Sequence, residues 1–234
     1  MFTDVDGTLT VDRGSYLISL EAVDALRRVA ERGVLVSLVS SNALPVVVGL
    51  SRYMGLNGPV IAESGALVYY DEWGLVELAD KSARYVYHDI LERFSEFVED
   101  SWQNRFRLYD FALRIRGEHR GRAAVLAEEL KEYVEFNFSG FTVDYSGYAL
   151  HVHSKSVSKG VAVDYVLRRL GVSSEEALGV GDSVMDLDFI KRLGFKAAVG
   201  GSDRELVEAC NIRAASPGGR GLVEILRKVF EEWF

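Results

Sequence analysis

Short apolar runs alternating with amphipathic stretches carry the first third of the chain, break off near Ala79 and resume at Lys159. This rhythm is the pattern of βαβ units building a parallel sheet, in which buried strands read as continuous apolar runs and each crossover helix shows one apolar stripe. The stretch between follows a different pattern. The expected fold is therefore α/β: a Rossmann-like parallel-sheet core from residues 1–78 and 155–234, with an α+β domain, residues 79–154, inserted into it.

In the first segment, LEAVDALRRVAERG places Ala22, Val23, Leu26, Val29 and Ala30 on one helical face, with Ser19 as N-cap and Gly33 as the stop. VLVSLV follows as a strand, then a helix capped by Ser41 or Asn42 with Pro45 in its first turn, then a buried strand and a hairpin around Glu72 to Gly74. Inside the insertion, DILERFSEFVEDSW predicts a helix, RFRLYDFALRIR an alternating strand, RAAVLAEELKEYVEFNF a second helix, and FTVDYS and YALHVHS two more strands. Helices lying against short alternating strands predict an antiparallel sheet with one face wet. From Lys159 the pattern gives helix, strand (ALGVGDS), helix (VMDLDFIKRLG), strand (KAAVGG), helix (DRELVEAC) and a last amphipathic helix from Gly221.

Chemistry collects where these strands end. In DVDGT, Asp4 and Asp6 leave the first strand on the same side and Gly7 permits a sharp turn, so both carboxylates stay at the sheet's carboxyl edge, where open α/β sheets bind ligands. Two carboxylates so close repel each other unless a cation or a shared proton intervenes, which points to a divalent metal; the alternative is an Asx turn with a cap. In SLVSSN, Ser40 with the backbone of Ser41 and Asn42 precedes a helix start that can hold a phosphoryl group, although a plain helix cap explains the same residues. Lys159 begins a helix, a poor place for a cation unless an anion meets it. In LGVGDSVMDLDF, Asp182 and Asp186 follow an apolar strand and suit a hard cation such as Mg2+, with Asp188 facing solvent. A dinucleotide fingerprint is excluded, because the glycine it needs after Gly179 and Gly181 is Val184.

Charge and composition narrow the ligand. A net charge of -8 argues against a nucleic-acid or anionic-membrane surface and fits a small metal-chelated substrate. No run approaches the length of a spanning helix, and no basic-then-apolar leader opens the chain. Cys210, the only cysteine, excludes an intramolecular disulfide and is read as a small buried hydrophobe in a cytoplasmic protein.

With DVDGT, Ser40, Lys159 and GDSVMD in that order, the chain resembles the haloacid dehalogenase superfamily of phosphohydrolases, and the insertion matches the position of the larger α+β caps. More narrowly, DVDGTLT, VSLVSSN, GPVIAESGALVY, NRFR, YSGYALHV and GDSVMDLDF resemble the archaeal phosphoglycolate phosphatases. The resemblance implies that Asp4 is a nucleophile forming an aspartyl-phosphate and that Asp6 is the acid and base. It implies that Asp4, the carbonyl of Asp6, Asp182 and Asp186 hold Mg2+, and that Ser40 and Lys159 bind the transferring oxygens. Two residues depart from the family pattern: Ser41 stands where glycine is common, and Val184-Met185 replaces a polar pair. The implied substrate is a small phosphorylated metabolite, 2-phosphoglycolate first and a sugar phosphate, or a phosphomutase reaction, second. A binding module is disfavoured by the full set of reactive groups.

Specificity then falls to the insertion, whose arginines 105, 107, 114, 116, 120 and 122 offer either a grip on a substrate carboxylate or exposed strand positions. Arg105 ranks first because NRFR belongs to the resemblance. His151 and His153 are read as structural rather than metal-binding. The terminal Trp233 and Phe234 are expected to complete a core or the edge of a homodimer rather than to meet membrane. The lead-in before Asp4 is brief for such a strand. Either the natural start lies upstream, or Phe2 anchors the strand with Met1 near the floor of the sheet.

Overall fold

The computed structural model describes residues 1–231, so Trp233 and Phe234 lie outside the described residues. The chain opens with β1 (Phe2–Thr3), α1 (Leu20–Glu31), β2 (Ser37–Leu38), α2 (Leu44–Met54) and β3 (Val60–Ala62), followed by the meander of β4 (Leu67–Tyr70) and β5 (Gly74–Glu77). The insertion supplies α3 (Arg84–Arg93), β6 (Val98–Asp100), β7 (Phe111–Ile115), α4 (Ala123–Asn137), β8 (Phe141–Tyr145) and β9 (Leu150–Ser154). The chain closes with α5 (Lys159–Leu170), β10 (Leu178–Gly181), α6 (Leu187–Ile190), β11 (Phe195–Ala198), α7 (Arg204–Ala209), β12 (Ile212–Arg213) and α8 (Gly218–Val229).

The central sheet runs β12-β11-β10-β1-β2, with every pair parallel. A parallel bridge between Val39 and Ile61 carries it on into β3. Apolar residues of α1, α2 and α8 cover one face, among them Leu26, Val29, Val47, Leu222 and Ile225. Those of α5, α6 and α7 cover the other, with Val163, Val166, Phe189 and Leu206 at its centre. Burial on both faces explains why these strands read as unbroken apolar runs.

β1 has only two residues, and its neighbours hold it. Phe2 is buried among Val39, Ala162 and Phe189, the Met1 ammonium donates to the Leu35 carbonyl at 2.8 Å, and the Ser37 amide donates to the Met1 carbonyl at 2.9 Å. Phe2 and Thr3 align with Gly179 and Val180 on one side and with Ser37 and Leu38 on the other.

The insertion forms its own antiparallel sheet, β6-β7-β9-β8, with α3 and α4 packed over an apolar cluster that includes Ile90, Phe111, Leu130, Phe141 and Val152. Its other face is polar, as expected, but not wet: His151 and His153 are both buried there. The predicted helix over DILERFSEFVEDSW is displaced. It begins at Arg84 and ends at Arg93, after which the Phe97 and Val98 amides both donate to the Phe94 carbonyl and the chain turns back as β6. Of RFRLYDFALRIR only Phe111–Ile115 is strand; Trp102–Phe106 is a 3-10 turn.

Ser19 caps α1 as expected, its side chain accepting from the Ala22 amide. The cap of α2 does not match: the N-cap residue is Ala43, which has no capping side chain, and its amide is satisfied by Gln103 from the insertion at 2.8 Å. The last helix starts at Gly218 rather than Gly221. Among the described residues no helix is long and apolar enough to cross a membrane.

Candidate active site

Because β1, β2 and β10 are parallel neighbours, whatever follows each of them emerges at one edge. Asp4 follows β1 and is tied to the next strand by its amide, which donates to the Val180 carbonyl at 2.9 Å. Ser40 follows the β2 run and Asp182 follows β10. Gly7 turns the chain away with φ +92°, and a Cβ there would run into the Asp182 carboxylate. Lys159 enters from the first turn of α5, where Ser158 caps the helix by accepting from the Val161 amide.

The result is a buried charged cluster. One carboxylate oxygen from each of Asp4, Asp182 and Asp186 lies within 4.8 Å of the others, and all three residues are buried. Lys159 Nζ donates to Asp4 Oδ1 at 2.8 Å and to Asp186 Oδ1 at 2.6 Å. Asp186 Oδ2 is held by the amides of Asp182 and Ser183, each at 3.1 Å, and by Ser183 Oγ at 3.2 Å. Asp182 accepts from Thr8 Oγ1 at 3.1 Å and from Arg13 Nε, while Arg13 Nη2 bonds the Asp182 carbonyl and Nη1 donates to Asp203 at 2.8 Å.

Two protein cations do not fully offset three buried carboxylates. Burial, then repulsion from Asp186, pushes the Asp4 carboxyl well above the ordinary range despite Lys159. The same causes push Asp182 up to about 6 against the pull of Arg13. Burial raises Asp6 also, opposed first by the hydrogen bond from Asn42. Lys159 is held charged, since its two carboxylates outweigh its burial. A compact oxygen-donor set with residual negative charge fits a hard divalent cation such as Mg2+.

Of the three SLVSSN residues, Ser40 Oγ accepts from the Asn42 amide and from Asn42 Nδ2, both at 3.1 Å. Asn42 Nδ2 also reaches Asp6 Oδ2 at 2.6 Å. Ser41 turns toward the insertion: its Oγ lies 3.0 Å from Ser64 Oγ, whose own proton goes to Asp110, and its carbonyl accepts from Arg107 Nη1 at 2.9 Å. Arg105 is exposed and has no hydrogen bond or ion pair among the described residues. Arg107, two positions on, is buried against the Ser41 segment, and its Nε has no partner there. Asp188 does not simply face solvent, because its Oδ2 accepts from the Gly160 amide at 2.7 Å and so helps to hold the turn that carries Lys159.

Several groups at this edge were not legible beforehand. Glu63 and Ser64 adopt positive φ, 50° and 56°, and are buried. The Glu63 carboxylate accepts from the amides of Leu108, Tyr109 and Asp110, the Tyr109 bond being 2.8 Å. Ser64 Oγ donates to Asp110 Oδ2 at 2.6 Å, and His151 Nδ1 lies 3.1 Å from the same oxygen. Burial alone would raise the Asp110 carboxyl, but His151 and Arg107 outweigh it and hold it well below the usual range. Tyr148, on the β8–β9 connection, is partly exposed, and its hydroxyl is pushed up to about 12 by burial and then by Asp182. Cys210 is buried, and burial pushes its thiol up to about 11, as expected of an inert core residue.

A family model described as haloacid dehalogenase-like hydrolase matches residues 1–111 and 118–226. A phosphoglycolate phosphatase of Staphylothermus marinus is 47% identical over 98% of this chain and 96% of its own length. One from Sulfolobus acidocaldarius is 35% identical over 98% of this chain and 95% of its own. Among solved structures, Thermoplasma acidophilum 0175 superposes with a TM-score of 0.82 at 26% identity, covering 99% of this chain and 96% of that one. A sucrose-phosphatase from Synechocystis shares the fold, with a TM-score of 0.76 at 17% identity over 98% of this chain and 96% of its own.

Proposed function

The chain belongs to the haloacid dehalogenase-like hydrolase family and is a phosphatase of it, and from that premise we propose that it hydrolyses 2-phosphoglycolate through an aspartyl-phosphate on Asp4, with Mg2+. The observation that carries this reading is the meeting of Asp4, Asp182, Asp186 and Lys159 at one sheet edge. Support for the substrate comes from the relatives, phosphoglycolate phosphatases 47% and 35% identical to this chain over nearly its full length.

Mg2+ held by Asp4, Asp182 and Asp186 with the Asp6 carbonyl would supply the charge that lets a carboxylate approach a phosphate. Lys159 occupies Asp4 Oδ1, so Oδ2 is the oxygen without a protein donor among the described residues and the one we assign to attack phosphorus. As the Asp4 oxygen bonds phosphorus, the bond to the substrate alkoxide breaks and Asp6 gives that alkoxide its proton. A carboxyl with a raised pKa is suited to that task. Asp6 then takes a proton from the water that attacks phosphorus, releasing phosphate and restoring Asp4. Ser40 and Lys159 hold the oxygens on which charge accumulates.

We assign residues 79–154 to a cap that selects substrate, with the turn that carries Gln103 and Arg107 hydrogen-bonded to the Ser41–Ala43 segment beside the site. Phosphate release by the purified protein across phosphoglycolate, sugar phosphates and nucleotides, with Mg2+ or chelator, tests the proposal. Preferred turnover of a sugar phosphate would displace the substrate, and turnover unaffected by chelator would displace the metal.

A further inference from the structure

Gln103 is the only glutamine in the chain. It lies in the 3-10 turn Trp102–Phe106 of the insertion, yet its side chain is spent on the segment that follows β2. Its Oε1 accepts from the Ala43 amide at 2.8 Å and from Arg107 Nη2 at 3.4 Å. Its Nε2 donates to Asn42 Oδ1 at 2.6 Å, and Asn42 Nδ2 donates to Asp6 Oδ2 at 2.6 Å.

The direction of these bonds matters. A primary amide can turn over and exchange its donor and acceptor ends, so Asn42 alone would present either end to Asp6. Gln103 cannot turn over, because the Ala43 amide and the Arg107 guanidinium are donors only and both meet its oxygen. Its Nε2 must therefore face Asn42, Asn42 must answer with its oxygen, and the Asn42 Nδ2 is left for Asp6. Donation runs from Arg107 through Gln103 and Asn42 to Asp6 without reversal.

We propose that Gln103 is a positioning residue for the proton-transferring carboxyl: by fixing the Asn42 amide it pins Asp6 through Oδ2 and leaves Oδ1 to exchange the proton with the leaving group. Asp6 Oδ1 accepts no hydrogen bond among the described residues, which suits that role. Gln103 belongs to the insertion, whereas Asn42 and Asp6 belong to the sheet edge, so the carboxyl is set only while the insertion is seated on α2. This inference rests on the reading of Asp6 as acid and base.

The test compares kcat/KM for 2-phosphoglycolate, whose alkoxide must be protonated as it leaves, with that for p-nitrophenyl phosphate, whose nitrophenolate leaves unaided. It uses the full chain with Mg2+, and kcat/KM reports the steps up to loss of the leaving group. Gln103→Ala removes the relay, and the near-isosteric Gln103→Glu keeps its shape but cannot donate to Asn42 as a carboxylate. Both variants are expected to lose about tenfold or more on phosphoglycolate while staying within about twofold on the aryl ester. Asp6→Asn should show the same selective loss to a greater degree. Equal loss on both substrates, or full retention by Gln103→Glu on phosphoglycolate, would overturn the positioning role. Equal loss in Asp6→Asn would remove the acid reading with it, and a wild-type protein that hydrolyses neither ester would remove the phosphatase reading itself.

Discussion

Lys159 Nζ donates to Asp4 Oδ1 at 2.8 Å across 155 positions of sequence, and both side chains are almost fully shielded from water. The same ammonium holds Asp186, so one cation links the first and last acidic segments. Lys159→Met removes that cation and leaves two buried carboxylates facing each other. Loss of one partner from a buried ion pair costs about 3–5 kcal/mol, and loss of a charge that stabilises a transition state costs about 100- to 1,000-fold in kcat. Denaturant unfolding in chelator, alongside phosphate release with Mg2+, measures both. A variant as active as the wild type would show that the lysine has no part in the chemistry.

Asp4→Asn separates chemistry from folding. Turnover is expected to fall by at least about a thousandfold, because an amide does not attack phosphorus. Stability in chelator is expected to stay within about 1 kcal/mol of wild type, because Lys159 keeps its bond to Asp186 and the asparagine oxygen can still accept from it. Retained phosphate release would remove Asp4 as the nucleophile, and thermal midpoints measured in parallel show whether the fold survives.

Mg2+ is expected to raise the thermal midpoint of the wild type, because a ligand that binds only the folded state stabilises it, by about 2.7 kcal/mol at a hundred times its Kd. Asp182→Asn removes one of the three clustered carboxylates and is expected to lose most of that gain. Differential scanning with and without chelator measures the difference. An undiminished rise in the variant would place the ion elsewhere.

Burial works against a charged ring on His153, but its contact with Asp144, 3.0 Å from Nε2, and the nearby Asp110 outweigh burial and raise its pKa. A raised histidine contributes stability that is fully present below its unfolded pKa of about 6.5 and is lost as pH rises through the folded value. Asp144→Asn is therefore expected to lower the melting temperature most near about pH 6, with the gap from wild type closing as pH rises through the raised folded value. A gap independent of pH would mean that the pair acts through packing alone.

Much of the sheet edge was legible because its residues follow apolar strands directly: Asp4, Ser40 and Asp182 each sit where a buried run stops. The helix boundary near Phe94 was not, since Phe94, Phe97 and Val98 satisfy helical spacing and a tight turn equally well. Nor was Arg13, which meets Asp182 over 169 positions and stands in a stretch with no periodicity to mark it. Glu63 and Gln103 were invisible for the same reason: their partners, the Leu108–Asp110 amides and the Ala43 amide, are backbone groups brought near only by the insertion's return. Nor did the resemblance carried by NRFR separate its two arginines, of which the turn leaves Arg105 exposed and buries Arg107.

The apolar cluster of the insertion closes on itself, with all its buried members lying between Ala83 and Val152, while the carboxylates are rooted above separate interiors. Either interior can therefore be rebuilt by successive mutations without loosening the other. What cannot be changed piecemeal is the polar seam between them, where Glu63, Asp110, Arg107, Gln103 and Asn42 each satisfy a group on the opposite side. A change of one of these residues is therefore expected to be tolerated only together with a change of its partner across the seam.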